Sequence, residues 1–120
     1  MKIEATKYSP MVELSDDGQM IIKGRSILED PLAFFDKIIG WIKNNATKKF
    51  TLEIHLEYMN TSSSKLLLKL LKAVKDKYNA NEVYITWYYE TNDEDMYDLA
   101  KDFETLICIP IDFVEVDEEA

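Results

Sequence analysis

The chain is poor in the residues that build most small-molecule chemistry. Among 120 residues there are one cysteine, three glycines, three prolines and one histidine. A lone cysteine, Cys108, rules out an intrachain disulfide and fits a reducing compartment. Three glycines leave no Gly-rich phosphate loop. One Cys and one His make no zinc-type ligand set. Positive charge is short as well: 14 basic residues face 23 acidic ones, a net charge of -9. Nucleic acid and anionic membranes need a basic footprint, so neither is an expected partner. There is no signal-peptide core at the N-terminus and no apolar run of membrane-spanning length, so a cytoplasmic location is expected. In an unsecreted chain, Asn45-Ala46-Thr47 and Asn60-Thr61-Ser62 match the glycosylation pattern only by chance.

What is present is a core. A hydrophobic content of 47% in this length predicts one domain, residues 1–120. Met1 to Pro10 is an arm with little periodicity. Met11 to Leu14 and Gln19 to Gly24 flank Ser15-Asp16-Asp17-Gly18, a hairpin signal with a longer loop. Gly24-Arg25-Ser26 follows as a strand end, its Arg25 read as solvated. Asp30-Pro31 opens a helix, as N-cap and first helical residue. Leu32, Phe35, Ile39 and Ile42 form its stripe, widened by Phe34, Ile38 and Trp41. Gly40 weakens this helix by about 1 kcal/mol relative to alanine and would allow close packing. Asn44-Asn45 ends it.

Phe50, Leu52, Ile54, Leu56 and Tyr58 alternate with Lys49, Thr51, Glu53, His55 and Glu57, a half-buried strand. A helix follows, with Leu67, Leu70, Leu71, Val74 and Tyr78 on its apolar face. Its lysines Lys65, Lys69, Lys72, Lys75 and Lys77 read as a solvated face, and Asn79 to Asn81 as the turn after it. Val83, Ile85, Trp87 and Tyr89 alternate with Tyr84, Thr86 and Tyr88 in a further strand. Thr91-Asn92-Asp93 caps a third helix carrying Met96, Leu99, Ala100, Phe103 and Ile107. Glu94, Asp95 and Asp98 in its first turns offset the helix dipole; they lack EF-hand spacing. Ile109, Ile111 and Phe113 make a last strand, placed at an edge by Pro110. Glu115 to Glu119 is an acidic tail.

The order ββαβαβαβ predicts α/β: an N-terminal hairpin, then a mixed, mostly parallel five-stranded sheet with three helices. Strands that alternate are covered on one face only. Crossovers laid down in one direction put the helices on that face. The other face then carries Thr51, Glu53, His55, Glu57, Tyr84, Thr86 and Tyr88. The residues suggest no catalytic set and no cofactor. His55 reads as solvated and Cys108 as a small core residue. A small enzyme or ligand site on the polar sheet face, using His55, Glu53 and Tyr88, is the alternative to a binding module.

The stretch between the third strand and the second helix stands apart. Asn60-Thr61-Ser62-Ser63-Ser64-Lys65 puts four hydroxyl residues in a row where free helix N–H groups and a positive dipole end are expected. One Ser or Thr is expected to cap, and one cap needs one hydroxyl. A phosphate on Thr61 would be held by both the amides and the dipole.

Three segments together carry a family resemblance. Gly24-Arg25-Ser26-Ile27, the block from Leu56 to Lys65, and Trp87-Tyr88-Tyr89-Glu90 resemble the SiaC-type regulatory phosphoproteins. These are bacterial STAS-like domains akin to anti-sigma-factor antagonists. The resemblance runs from Thr6-Lys7-Tyr8-Ser9-Pro10 through Phe113. Pro-Glu-Asn often follows the Gly-x-Ser segment in the family; here Leu28-Glu29-Asp30 stands there, with the proline at Pro31. The resemblance implies a non-enzymatic partner switch. A cognate kinase phosphorylates the threonine, here Thr61, and a PP2C-type phosphatase removes the group. The unphosphorylated form binds an effector, in the best understood cases a diguanylate cyclase that it activates. Asn60, Ser62, Ser63, Ser64, Lys65 and Lys69 are the expected phosphosite loop and effector interface. Ser62, Ser63 and Ser64 stay open as further phosphate acceptors.

Overall fold

A computed structural model describes residues 1–45 and 47–117. The Ala46 of one glycosylation-like match, and Glu118 and Glu119 of the acidic tail, lie outside the described residues. In chain order the elements are β1 (Lys2–Ile3), β2 (Met11–Ser15), β3 (Gln19–Ser26), α1 (Leu32–Asn44), β4 (Phe50–Met59), α2 (Thr61–Lys77), a 3-10 turn (Ala80–Glu82), β5 (Val83–Glu90), α3 (Glu94–Ile107) and β6 (Ile111–Val116).

The strands form one six-stranded sheet in sequence order, β1-β2-β3-β4-β5-β6. The pairs β1/β2 and β2/β3 are antiparallel; β3/β4, β4/β5 and β5/β6 are parallel. Five strands were expected, and β1 is the addition. Lys2 pairs with Glu13 and Ile3 with Val12, and the Met1 amino group donates to the Leu14 carbonyl at 2.7 Å. Two residues are too few to show a period of two.

The alternating strands bury one face. Phe50, Leu52, Ile54 and Leu56 of β4, with Val83, Ile85 and Trp87 of β5, meet Leu67, Leu70, Leu71 and Val74 of α2 in the core. α1 packs on α2 and α2 on α3, so the helices make one layer. The opposite face is half-covered: Thr51, Glu53, His55, Thr86 and Tyr88 are partly buried, while Glu57 and Tyr84 are exposed.

Several expectations about single residues fail. Pro31 rather than Asp30 stands at the N-cap of α1, and no side chain caps it. Tyr58 belongs by alternation with the core, yet it is 57% exposed. The β3/β4 register shifts at this point: Gly24 pairs with Leu56 but Arg25 with Tyr58, so β4 carries one extra residue, Glu57. An extra residue reverses every side chain beyond it. Gly24 takes φ +125 at the shift, a backbone that other residues rarely adopt. Leu32, the first residue of α1, is exposed, and Pro31 before it is buried instead. A Cβ added at Gly40 would meet nothing within 4 Å, so no close packing depends on it. Cys108 is exposed rather than buried. It ends α3 in the left-handed region, φ 58, where its N–H satisfies the Glu104 carbonyl.

Candidate functional site

The site is built where β3 and β4 end side by side. The Asn60 N–H donates to the Ser26 carbonyl at 3.0 Å, which stops β4 and starts α2. The Asn60 side chain, not a hydroxyl, then caps the helix: its Oδ1 accepts from the Ser63 N–H at 3.0 Å. This corrects the expectation of a Ser or Thr cap. Asn60 is extended, φ -76 and ψ 170, and asparagine is among the best caps.

With capping done by Asn60, the four hydroxyls divide. Ser63 Oγ is fully buried and accepts from Ser26 Oγ at 2.7 Å. Ser64 Oγ donates to the Thr61 carbonyl at 2.7 Å. Ser62 Oγ lies 3.4 Å from the Leu28 carbonyl. Thr61 is exposed, and its hydroxyl has no partner among the described residues. The N–H groups of Thr61 and Ser62 also have no acceptor among the described residues, while those of Ser63 and Ser64 are taken by Asn60. An exposed hydroxyl therefore stands next to two unsatisfied amides at the positive end of a 17-residue helix.

The remaining predicted residues lie along α2. Lys65 and Lys69 are both exposed, and Lys69 Nζ reaches Asp36 of α1 at 3.4 Å. Both side chains are at least half exposed, and the pair contributes little to stability. Two partners of the site were not singled out from sequence. Ser26 supplies the buried hydroxyl for Ser63, and the Leu28 carbonyl accepts from Asn60 Nδ2 at 3.0 Å. Ser26 could have been found from its place in the Gly-x-Ser segment; a backbone carbonyl leaves no trace in sequence.

The alternative sites hold less. On the sheet face, Lys23, Glu53, His55 and Tyr88 line a depression of about 300 Å³. His55 and Tyr88 are neighbours in register with ring centroids 6.0 Å apart, and His55 Nε2 is buried without a partner among the described residues. No hydrogen bond joins the Glu53, His55 and Tyr88 side chains among the described residues. Asp93, Glu94, Asp98 and Glu115 line a cavity of about 460 Å³ with Tyr89 and Tyr97. Asp93 is committed as the α3 cap, accepting from the Met96 N–H at 3.1 Å. Among the described residues, no three His, Cys, Asp or Glu side chains converge on a metal position. No helix is long and apolar enough to cross a membrane among the described residues.

Comparison with known proteins bears on the whole chain. The family described as SiaC family regulatory phosphoprotein matches residues 3–116. An uncharacterised protein of Pseudomonas aeruginosa (strain UCBPP-PA14) is 24% identical over 123 residues, covering 98% of each chain. A chain in the crystal structure of diguanylate cyclase SiaD in complex with its activator SiaC, from Pseudomonas aeruginosa, superposes with a TM-score of 0.86 at 22% identity. The match covers 97% of this chain and 99% of that one. SiaC of the same organism gives a TM-score of 0.81 at 21% identity, over 98% of both chains. At these identities the structural likeness establishes the fold.

Proposed function

This chain belongs to the SiaC family of regulatory phosphoproteins, and on that premise we propose that it is a partner switch gated at Thr61. The unphosphorylated chain binds and activates an effector, taken to be a diguanylate cyclase like the partner in the neighbouring complex. A cognate kinase adds the phosphate and a PP2C-type phosphatase removes it. The chain catalyses nothing itself. Residues 1–120 act as one regulatory domain in the cytoplasm, and Asn60, Ser62, Ser63, Ser64, Lys65 and Lys69 form the loop and the effector interface.

One observation carries this reading: of four consecutive hydroxyls, Thr61 alone is exposed and uncommitted, and two unsatisfied amides adjoin it. A kinase needs an accessible hydroxyl. The amides and dipole then hold the product, since phosphate at a helix N-terminus is favourable. The same geometry opposes phosphorylation of Ser63, whose hydroxyl is buried, and disfavours Ser62 and Ser64, whose hydroxyls are engaged. The test is labelling by the cognate kinase with ATP, followed by peptide mapping. Label is expected on Thr61 and absent from Thr61→Val. Full labelling of Thr61→Val overturns the assignment.

A further inference from the structure

Next to the phosphosite is a cleft of about 390 Å³ lined by Tyr8, Ile27, Leu28 and Glu29. Its walls are tied to the switch by hydrogen bonds. The Ile27 N–H donates to the Tyr8 carbonyl at 2.9 Å, which fixes the N-terminal arm against the segment after β3. The Leu28 carbonyl accepts from Asn60 Nδ2 at 3.0 Å and faces Ser62 Oγ at 3.4 Å. Asn60 and Ser62 flank Thr61 on either side, so both neighbours of the phosphosite end on one wall of the cleft. Exposed apolar residues adjoin the cleft along the chain. Tyr8, at 57% exposed, lines the cleft; Tyr58, at 57%, pairs with Arg25 just before it; Leu32, at 48%, opens α1 just after it. An exposed aromatic ring beside Ile27 and Leu28 offers an apolar contact surface in the cleft.

We infer that this cleft seats a large apolar side chain of the effector, and that it is the anchor point of the interface which Thr61 gates. The inference rests on the partner-switch reading and adds the anchor to it. A buried apolar anchor ringed by polar groups is how a compact interface gains affinity. The occupant's flanks are basic. Glu29 lines the cleft and Asp30 follows it, neither has an ion-pair partner among the described residues, and the whole chain carries -9. A basic flank meets these carboxylates and would be steered to them. Phosphate on Thr61 adds bulk and charge at the edge of the anchor. Asn60 and Ser62, its neighbours in the chain, are the residues whose side chains hold Leu28.

The experiment titrates the cell's own diguanylate cyclase, purified, against wild type, Leu28→Asp, Tyr8→Ala and Thr61→Asp. Kinase labelling and thermal melts are run on each. Leu28→Asp puts a charge in the anchor and is expected to weaken cyclase binding tenfold or more. Tyr8→Ala removes an exposed wall and is expected to weaken it at least threefold, with an unchanged melt. Both are expected to label at Thr61 within twofold of wild type. Wild-type affinity in Tyr8→Ala and in a folded Leu28→Asp, with Thr61→Asp still defective, overturns the anchor and leaves the switch standing. Loss of labelling in parallel with affinity also overturns it, since the cleft would then serve the kinase. Equal cyclase affinity for phosphorylated and unphosphorylated wild type instead sinks the underlying partner-switch reading.

Discussion

Asn60 is the residue on which the site turns, because one side chain does two jobs. Its carbonyl oxygen caps α2 through the Ser63 N–H, and its amide nitrogen holds the Leu28 carbonyl. Asn60→Ala removes both. A lost cap costs about 1 kcal/mol and a lost hydrogen bond about as much again, so urea unfolding is expected to show roughly 2 kcal/mol of destabilisation. Asn60→Asp keeps the cap but cannot donate to Leu28, and about half that loss is expected. Equal losses for the two variants would mean that the cap contributes nothing, and no loss in Asn60→Asp would mean that the Leu28 bond contributes nothing. The block from Asn60 to Ser64 was legible as a helix start carrying surplus hydroxyls, and its place at the end of β4 is as read. Which residue caps was not legible, since Asn, Ser and Thr are near-equals in intrinsic preference. The Ser26 hydroxyl, 37 residues away, takes Ser63 out of the contest.

Elements whose pattern repeats several times were legible; those set by a single pairing event were not. The apolar stripes of α2 and α3 and the alternation of β4 and β5 lie where their periods put them. Tyr58 reverses because of one extra residue in β4, and β1 exists only because β2 offers an open edge. Neither event has a period. The junction of α3 with β6 is also invisible in pattern and depends on one carboxylate. Glu104 accepts from the Ile111 N–H at 2.7 Å and from Lys101 Nζ at 3.2 Å. The Ile111 N–H first, and Lys101 second, hold its carboxyl below the ordinary 4.5 against an opposing effect of burial. A depressed folded pKa adds stability that is complete above the unfolded value and is lost as pH falls through the folded one. Glu104→Gln keeps an acceptor but no charge. The variant is expected to be about 1 kcal/mol less stable at pH 7, the difference between a charged and a neutral acceptor. That gap is expected to close as pH falls below 4.5, the ordinary value from which the carboxyl is lowered. Melts of both proteins between pH 7 and pH 3 check it, and a gap independent of pH would mean that the Glu104 charge does not hold the junction.

For the whole molecule, a switch at Thr61 has to change what binds without changing what is folded. A modification that melted α2 would disrupt the core, because Leu67, Leu70, Leu71 and Val74 are fully buried. The geometry argues for the opposite effect on stability. Negative charge on the first helical residue faces the unsatisfied amides of Thr61 and Ser62 and the positive end of the dipole. Such a charge is worth about 0.3–1 kcal/mol in favour of the fold. Binding responds in the other direction, since a phosphate under a docked partner has to be desolvated and repels an apolar surface. Each tenfold loss of affinity corresponds to about 1.4 kcal/mol. Thr61→Asp is therefore expected to raise the unfolding free energy slightly and to weaken effector binding tenfold or more. Thr61→Ala and Thr61→Val are expected to bind as wild type does. Phosphorylated wild type should exceed Thr61→Asp in both effects, because it carries about two charges and three acceptor oxygens where the carboxylate has one charge and two. Paired titrations and urea melts on the same samples test the opposition of sign. Weaker binding together with lower stability would mean that the phosphate acts by loosening α2. Unchanged binding in the phosphorylated protein would remove Thr61 from the interface altogether.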